Sequence, residues 1–169
     1  DKKLKELYIC DLGLNKKNES EFVELLTILR KRNVKVTYID HHDLDKKIIK
    51  QLEKSNFMIE SISIVIPSYN ESENIKELCR RTLDVIKKIN IKKYELIFVE
   101  NGSKDNSLEL LKKINSENKF VKIISLSRNF GYQSAIAVGL KYSENDYVCV
   151  MDGDLQDPPE IISKFVEKI

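Results

Sequence analysis

Short apolar runs alternate with amphipathic stretches along the whole chain, and this alternation is the feature that most limits its fold. Runs such as 34–39 and 94–99 are rich in β-branched and aromatic residues, which is typical of strands. Stretch 19–32 places Phe22, Leu25 and Leu29 on one helical face. Since strands that alternate with helices form βαβ units, the pattern predicts an α/β fold with a mostly parallel sheet flanked by helices.

The predicted elements fall into two series with a short junction between them. The first series has strands at 7–10 and 34–39 and helices at 19–32 and 43–54. The second has strands at 62–66, 94–99, 121–126 and 147–151, helices at 71–89, 105–115 and 131–142, and a last helix that opens at 157–160. Because Pro cannot continue a central ladder, Pro67 is expected to stop its strand. The junction predicts a division into residues 1–57 and 58–169.

Composition excludes several classes of protein. Of the 169 residues, 41% are hydrophobic and 33% are charged, a globular mix that rules out collagen and low-complexity disorder. The 29 basic and 27 acidic residues give a net charge of +2, so we expect no nucleic-acid partner. The three cysteines have no CxxC spacing, which argues against a disulfide framework. That cysteine usage fits a reducing cytosol, so we expect a cytoplasmic protein. No apolar run approaches the roughly 20 residues of a membrane helix, so we expect a soluble chain that could still dock on a membrane.

Two carboxylates follow the last predicted strand. Asp152 and Asp154 are two positions apart, so on an extended chain they point the same way. Because like charges repel, such a pair favours a cation, and oxygen ligands suit Mg²⁺ or Mn²⁺. A solvated acidic turn before a helix is the alternative.

Three other strand ends also carry polar side chains, in segments 67–71, 100–105 and 127–133. Tyr69 could stack on a base or cover the core, Glu100 could accept from a ribose or cap a turn, and Arg128 could neutralise a phosphate or pair with an acid. Ligands of open parallel sheets bind at the carboxyl ends of the strands. Four such ends together therefore favour a crevice for a nucleotide diphosphate.

Segments 63–71, 99–105, 127–133 and 151–160 resemble the motifs of family 2 glycosyltransferases, above all those that transfer sugars to polyprenyl phosphates. Four motifs in order make this resemblance specific, and it covers residues 58–169. It implies the donor-binding half of a partial, Rossmann-like GT-A fold. It also implies sugar transfer from a UDP- or GDP-linked donor to an acceptor, which we expect to be a dolichyl or undecaprenyl phosphate.

The resemblance also implies roles for individual residues. Asp152 and Asp154 would be the catalytic acidic pair, Asp154 and Gln156 would bind Mg²⁺ or Mn²⁺, and Pro67, Tyr69, Glu71, Glu100, Arg128 and Asp152 would bind the nucleotide sugar. The family usually has Asp at the position of Glu100 and often at that of Asn101. In this family more sequence follows the acidic motif and supplies acceptor contacts and membrane-associated helices. We therefore expect donor and metal binding but no turnover from these 169 residues, and membrane association only through parts beyond them.

The first series ends its second strand with Asp40, His41 and His42, and Asp11 follows its first strand. One carboxylate with two imidazoles suits a transition metal such as Mn²⁺. These residues resemble the DHH phosphoesterases, which implies a second metal site and, as an alternative function, a manganese-dependent phosphoesterase. A simpler interpretation is that 1–57 is a partial αβ fragment packed beside the transferase half. A third alternative for the whole chain is a noncatalytic nucleotide-binding module.

Overall fold

The computed structural model describes residues 6–10, 35–39, 61–89, 91–156 and 158–166. Its strands are β1 Glu6–Cys10, β2 Lys35–Ile39, β3 Ser61–Ser68, β4 Lys93–Glu100, β5 Val121–Ser125 and β6 Tyr147–Val150. Its helices are α1 Ile75–Lys88, α2 Ser107–Glu117, α3 Tyr132–Tyr142 and α4 Ile161–Val166. Within these residues no helix is long and apolar enough to cross a membrane.

The six strands form one sheet in the order β2-β1-β6-β3-β4-β5, and every neighbouring pair is parallel. This confirms the predicted α/β fold. From β3 the chain moves outward to β4 and β5, and then returns through α3 to place β6 on the other side of β3. The strand order therefore reverses between β3 and β6. In open parallel sheets such a switch leaves a crevice at the carboxyl ends of the strands.

The strands predicted at 7–10 and 34–39 are confirmed, and both join this same sheet. β1 pairs with β6 from Glu6 opposite Tyr147 to Ile9 opposite Val150, and β2 pairs with the other side of β1. The helices predicted at 19–32 and 43–54 lie outside the described residues.

Apolar side chains cover both faces of the central strands. On one face Ile64 and Phe98 pack with the apolar side of α1, and on the other Val65 and Ile97 pack with α3. All eight residues of β3 are buried, as expected for a central parallel strand. A Cβ on Gly139 of α3 would lie 2.2 Å from a methyl group of Val65, so α3 needs glycine to approach the sheet this closely.

The prediction that Pro67 stops its strand is wrong, because β3 continues through Pro67 to Ser68. The Val65 carbonyl oxygen accepts a hydrogen bond from the backbone N–H of the residue that follows β6. The Pro67 nitrogen faces the same side, but beyond the last residue pair of β3 and β6. On the other side, Ser68 still pairs with Glu100 of β4. A missing N–H group therefore costs no ladder hydrogen bond here.

Three helices begin at least two residues later than the sequence predicts. α1 begins at Ile75 rather than at residue 71, because the backbone N–H groups of Asn74 and Ile75 both donate to the Glu71 carbonyl in a tight turn. α2 begins at Ser107 after the loop that follows β4. α4 begins at Ile161 after a turn at 158–160, and Asp157, the predicted cap, lies outside the described residues.

Candidate functional site

A cavity of about 310 Å³ opens at the carboxyl ends of β3, β4 and β6. It is lined by Pro67, Ser68, Tyr69, Glu71, Asn101, Asn129, Tyr132, Asp152, Gly153 and Asp154. Residues from all four predicted strand-end segments therefore meet in one place. The cavity lies at the switch between β3 and β6, where the strand order predicts a ligand crevice.

The loop that carries Tyr69 and Glu71 is fastened to the loop after β4. Asn70 has a positive φ of 57°, and its backbone N–H donates to Ser103 Oγ at 2.9 Å. In return, Asn70 Oδ1 accepts from the backbone N–H of Lys104 at 2.8 Å. These reciprocal bonds hold the loop that places Tyr69 and Glu71 at the cavity wall.

Asp105 forms a second connection between the same two loops. Its carboxylate accepts from the backbone N–H groups of Ser72 and Ser107, each at 3.0 Å. The Ser107 hydroxyl accepts from the backbone N–H of Glu71 at 2.9 Å. Burial alone would raise the pKa of Asp105, but the hydrogen bonds from Ser107 and Ser72 outweigh it and lower that pKa to about 2. At neutral pH the Asp105 carboxylate is therefore ionised and joins the loop after β3 to the loop after β4.

Glu100 is buried at the end of β4 and is not among the residues that line the cavity. Its side chain is 2% exposed, and the Ser103 backbone N–H donates to one carboxylate oxygen. The Ser125 hydroxyl donates to the other at 3.2 Å. The predicted contact between Glu100 and the nucleotide stays a prediction.

Asn101 holds the third loop, residues 128–131, against the end of β4. It is 4% exposed, and its Oδ1 accepts from the Phe130 backbone N–H at 3.0 Å. Its Nδ2 donates to Asn129 Oδ1 at 3.2 Å and to the Gly131 carbonyl at 3.1 Å. Gly102 has a φ of +71°, and a Cβ there would lie 2.4 Å from the backbone of this loop. The close approach therefore requires both the amide of Asn101 and a glycine after it.

Arg128 is exposed in this loop and stacks on Phe130. The guanidinium carbon is 4.7 Å from the centroid of the Phe130 ring, and that ring is 46% exposed. A cation over an aromatic face is attracted by the ring quadrupole. Arg128 does not line the cavity, so its predicted contact with the nucleotide sugar stays a prediction.

The acidic motif forms a tight turn after β6. Asp154 Oδ1 accepts from the Gln156 backbone N–H at 3.0 Å, and Leu155 has a positive φ of 63°. A Cβ on Gly153 would lie 3.1 Å from the Pro67 carbonyl, so glycine allows the turn to lie against the end of β3. This turn brings the Asp154 side chain into the cavity, whereas the Gln156 side chain is exposed.

The carboxylates of Asp152 and Asp154 both line the cavity, and the Tyr132 hydroxyl donates to Asp152 Oδ1. Among the described residues no group of three or more His, Cys, Asp and Glu side chains could hold a metal ion. The chain thus offers a pair of carboxylates on an open cavity. This arrangement fits Mg²⁺ or Mn²⁺, because these ions commonly take one or two carboxylates and complete their coordination with water and substrate phosphate oxygens.

Comparison with known proteins identifies the family. Residues 63–169, more than half of the chain, match the model of glycosyl transferase family 2. The chain belongs to glycosyl transferase family 2. Over 107 residues it is 45% identical to an uncharacterized glycosyltransferase of Synechocystis, covering 63% of this chain and 33% of the relative. It is 43% identical over 109 residues to the undecaprenyl-phosphate 4-deoxy-4-formamido-L-arabinose transferase of Proteus mirabilis, covering 64% and 33%. The chain spans about a third of the length of these relatives.

A solved structure supports the same family fold. The mannosyltransferase PcManGT from Pyrobaculum calidifontis, determined with GDP-Man and Mn²⁺, superposes with a TM-score of 0.53. The match covers 90% of this chain and 41% of that protein at 17% identity. The likeness confirms the predicted GT-A fold, of which this family 2 chain contains a part.

The structure brings together five of the residues that the sequence singles out, namely Pro67, Tyr69, Glu71, Asp152 and Asp154. Sequence reasoning about this family 2 chain missed Asn101, Asn129 and Tyr132 as cavity residues, although all three lie within its motifs. Their position after strand ends was the available signal. Asp11, Asp40, His41 and His42 lie outside the described residues, and the family match begins at residue 63, so the phosphoesterase hypothesis for 1–57 stays a prediction.

Proposed function

We propose that the cavity binds a UDP- or GDP-linked sugar together with Mg²⁺ or Mn²⁺, and that the whole protein transfers the sugar to an acceptor. The observation that carries this proposal is the convergence of four strand-end loops, including both carboxylates of the acidic motif, on one cavity of about 310 Å³. Membership of family 2 supports the reaction type.

The lining residues divide by chemistry. Pro67, Tyr69 and Glu71 form the wall contributed by β3, and they would contact the nucleotide. Asp152 would contact the donor sugar or ribose. Asp154, with Gln156 beside it in the same turn, would hold the metal. A bound divalent cation offsets the negative charge that develops on the leaving diphosphate.

We propose a polyprenyl phosphate as the acceptor. The support is the similarity to the Proteus mirabilis protein, whose name states transfer to undecaprenyl phosphate. A lipid acceptor would place the whole protein at the cytoplasmic face of a membrane.

Donor binding is tested on the full 169-residue chain by isothermal titration calorimetry with UDP- and GDP-sugars, each in Mn²⁺ and in a chelator. We expect one nucleotide class to bind in a metal-dependent way, and Asp154→Ala to weaken that binding by about tenfold or more. The control is Glu109→Ala, which removes an exposed acid that pairs with Lys112 on the surface of α2. An affinity for the nucleotide sugar that is unchanged by the chelator and by Asp154→Ala would contradict the metal assignment and favour the noncatalytic module.

A further inference from the structure

We infer that Tyr132 is a positioning residue that holds the carboxylate of Asp152 in place for the donor. The Tyr132 hydroxyl donates a hydrogen bond to Asp152 Oδ1, and both residues line the cavity. This role rests on the proposed function, because Asp152 can contact a nucleotide sugar only if the cavity binds one.

Packing and helix geometry fix the Tyr132 ring. Tyr132 is the first residue of α3, and its ring packs against the apolar cluster that includes Val99 and Ala135 on one face of the sheet. A tyrosine has only two side-chain torsions before its hydroxyl, so a packed ring also fixes the position of the hydroxyl oxygen. Packing in the core therefore places the Tyr132 hydroxyl for its hydrogen bond to Asp152.

The backbone from which Tyr132 projects is anchored as well. Gly131 has a φ of +91°, which turns the chain into α3, and its carbonyl accepts from Ala135 N at 3.2 Å and from Asn101 Nδ2 at 3.1 Å. Since Asn101 is buried at the end of β4, the start of α3 is tied to the central sheet. Asn101 and Tyr132 together connect the sheet to the acidic turn after β6.

A carboxylate needs such a restraint at this position. The terminal torsion of an Asp side chain is broad, so an unrestrained carboxylate samples many orientations. Asp152 also lies two residues from a second acid, Asp154, on the same cavity, and like charges disfavour each other. A hydrogen bond from a phenol to a carboxylate is charge-assisted, so it is strong enough to orient the Asp152 carboxylate.

The test is a double-mutant cycle on the full chain, measured as dissociation constants for the UDP- or GDP-sugar in Mn²⁺ by isothermal titration calorimetry. Tyr132→Phe removes only the hydroxyl and keeps the packed ring. The matched control is Tyr142→Phe, at the other end of the same helix, where the side chain is 55% exposed. Asp152→Asn supplies the second arm of the cycle, because residues that act through each other have non-additive effects.

We expect Tyr132→Phe to weaken donor binding by about tenfold, as for other groups that orient a ligand-binding side chain. Tyr142→Phe should leave affinity unchanged, and in the Asp152→Asn background Tyr132→Phe should add less than about a twofold loss. A general structural role for Tyr132 would instead give the same loss in both backgrounds and would overturn the assignment.

Equal donor affinity in wild type and Tyr132→Phe would overturn the positioning role and leave the proposed function standing. Wild-type protein that binds neither nucleotide sugar would overturn the proposed function, and the role of Tyr132 with it.

Discussion

Glu95 shows how a single buried charge joins three strands at the end of the sheet opposite the cavity. The carboxylate is almost fully buried at the start of β4, and it accepts from Ser63 Oγ of β3 at 2.5 Å and from the Glu144 backbone N–H at 2.9 Å. Lys122 Nζ of β5 lies 2.6 Å away. Burial raises the pKa of Glu95, but the donors of Glu144, Lys122 and Ser63 outweigh it, so that pKa lies below its ordinary value of 4.5.

A folded-state pKa below the unfolded value means that the ionised Glu95 stabilises the native state above about pH 4.5, and that this stabilisation is lost as pH falls through the lower folded value. We expect Glu95→Gln to lower the free energy of unfolding by about 1–3 kcal/mol at pH 7, because buried donors lose a charged acceptor. The difference in the free energy of unfolding between wild type and Glu95→Gln should become smaller toward pH 3. Urea denaturation at both pH values measures it.

Glu109→Gln is the control for this substitution, because its side chain is exposed in a surface ion pair with Lys112. Surface pairs contribute little, so its effect should stay within about 0.5 kcal/mol. A Glu95→Gln deficit that is the same at pH 3 and pH 7 would contradict the role of the ionised carboxylate.

At the scale of elements, the cavity is shaped by hydrogen bonds between loops rather than by the helices and strands themselves. The loop after β3 and the loop after β4 are joined through Asn70, Ser103 and Asp105, and the loop before α3 is joined to β4 through Asn101. These partners are about 30 residues apart in sequence. The loops are therefore held in place by tertiary contacts.

Asp105→Ala should loosen the loop that carries Tyr69 and Glu71. Because the carboxylate accepts from the backbone N–H groups of Ser72 and Ser107, its removal should speed hydrogen exchange at both amides by roughly tenfold. Two-dimensional NMR measures both rates in one experiment, with the amides of β3 as the internal control. Unchanged exchange at Ser72 would show that the loop keeps its conformation without Asp105.

The sequence predicts the described elements because their signals are local. Apolar β-branched runs mark the strands, and the amphipathic period marks α1 and α2. The start of α1 was predicted too early because residues 71–74 form a tight turn, whose Glu71 and Ser72 N–H groups donate to the loop after β4, and no local pattern reveals these contacts. The same reason explains why Asn101 and Tyr132 were missed, since their partners lie 20–30 residues away.

At the scale of the whole molecule, the reversal of strand order between β3 and β6 decides where the cavity lies. The acidic turn follows β6 and the Tyr69 loop follows β3, so neighbouring parallel strands bring them together. The motifs of the sequence predict this meeting point. The pairing of β1 with β6 across about 140 residues could not be predicted, because no local pattern specifies which strand is the neighbour.

We propose that a divalent cation and a nucleotide sugar share the cavity beside the acidic turn. The most direct test is the ¹H–¹⁵N spectrum of the full chain with a UDP- or GDP-sugar and a small amount of Mn²⁺, whose paramagnetism broadens nearby amide signals. We expect the broadening to centre on Gly153, Asp154 and Leu155, to extend to Tyr69, and to require the nucleotide sugar. Broadening centred away from this turn, or none with the donor present, would contradict it.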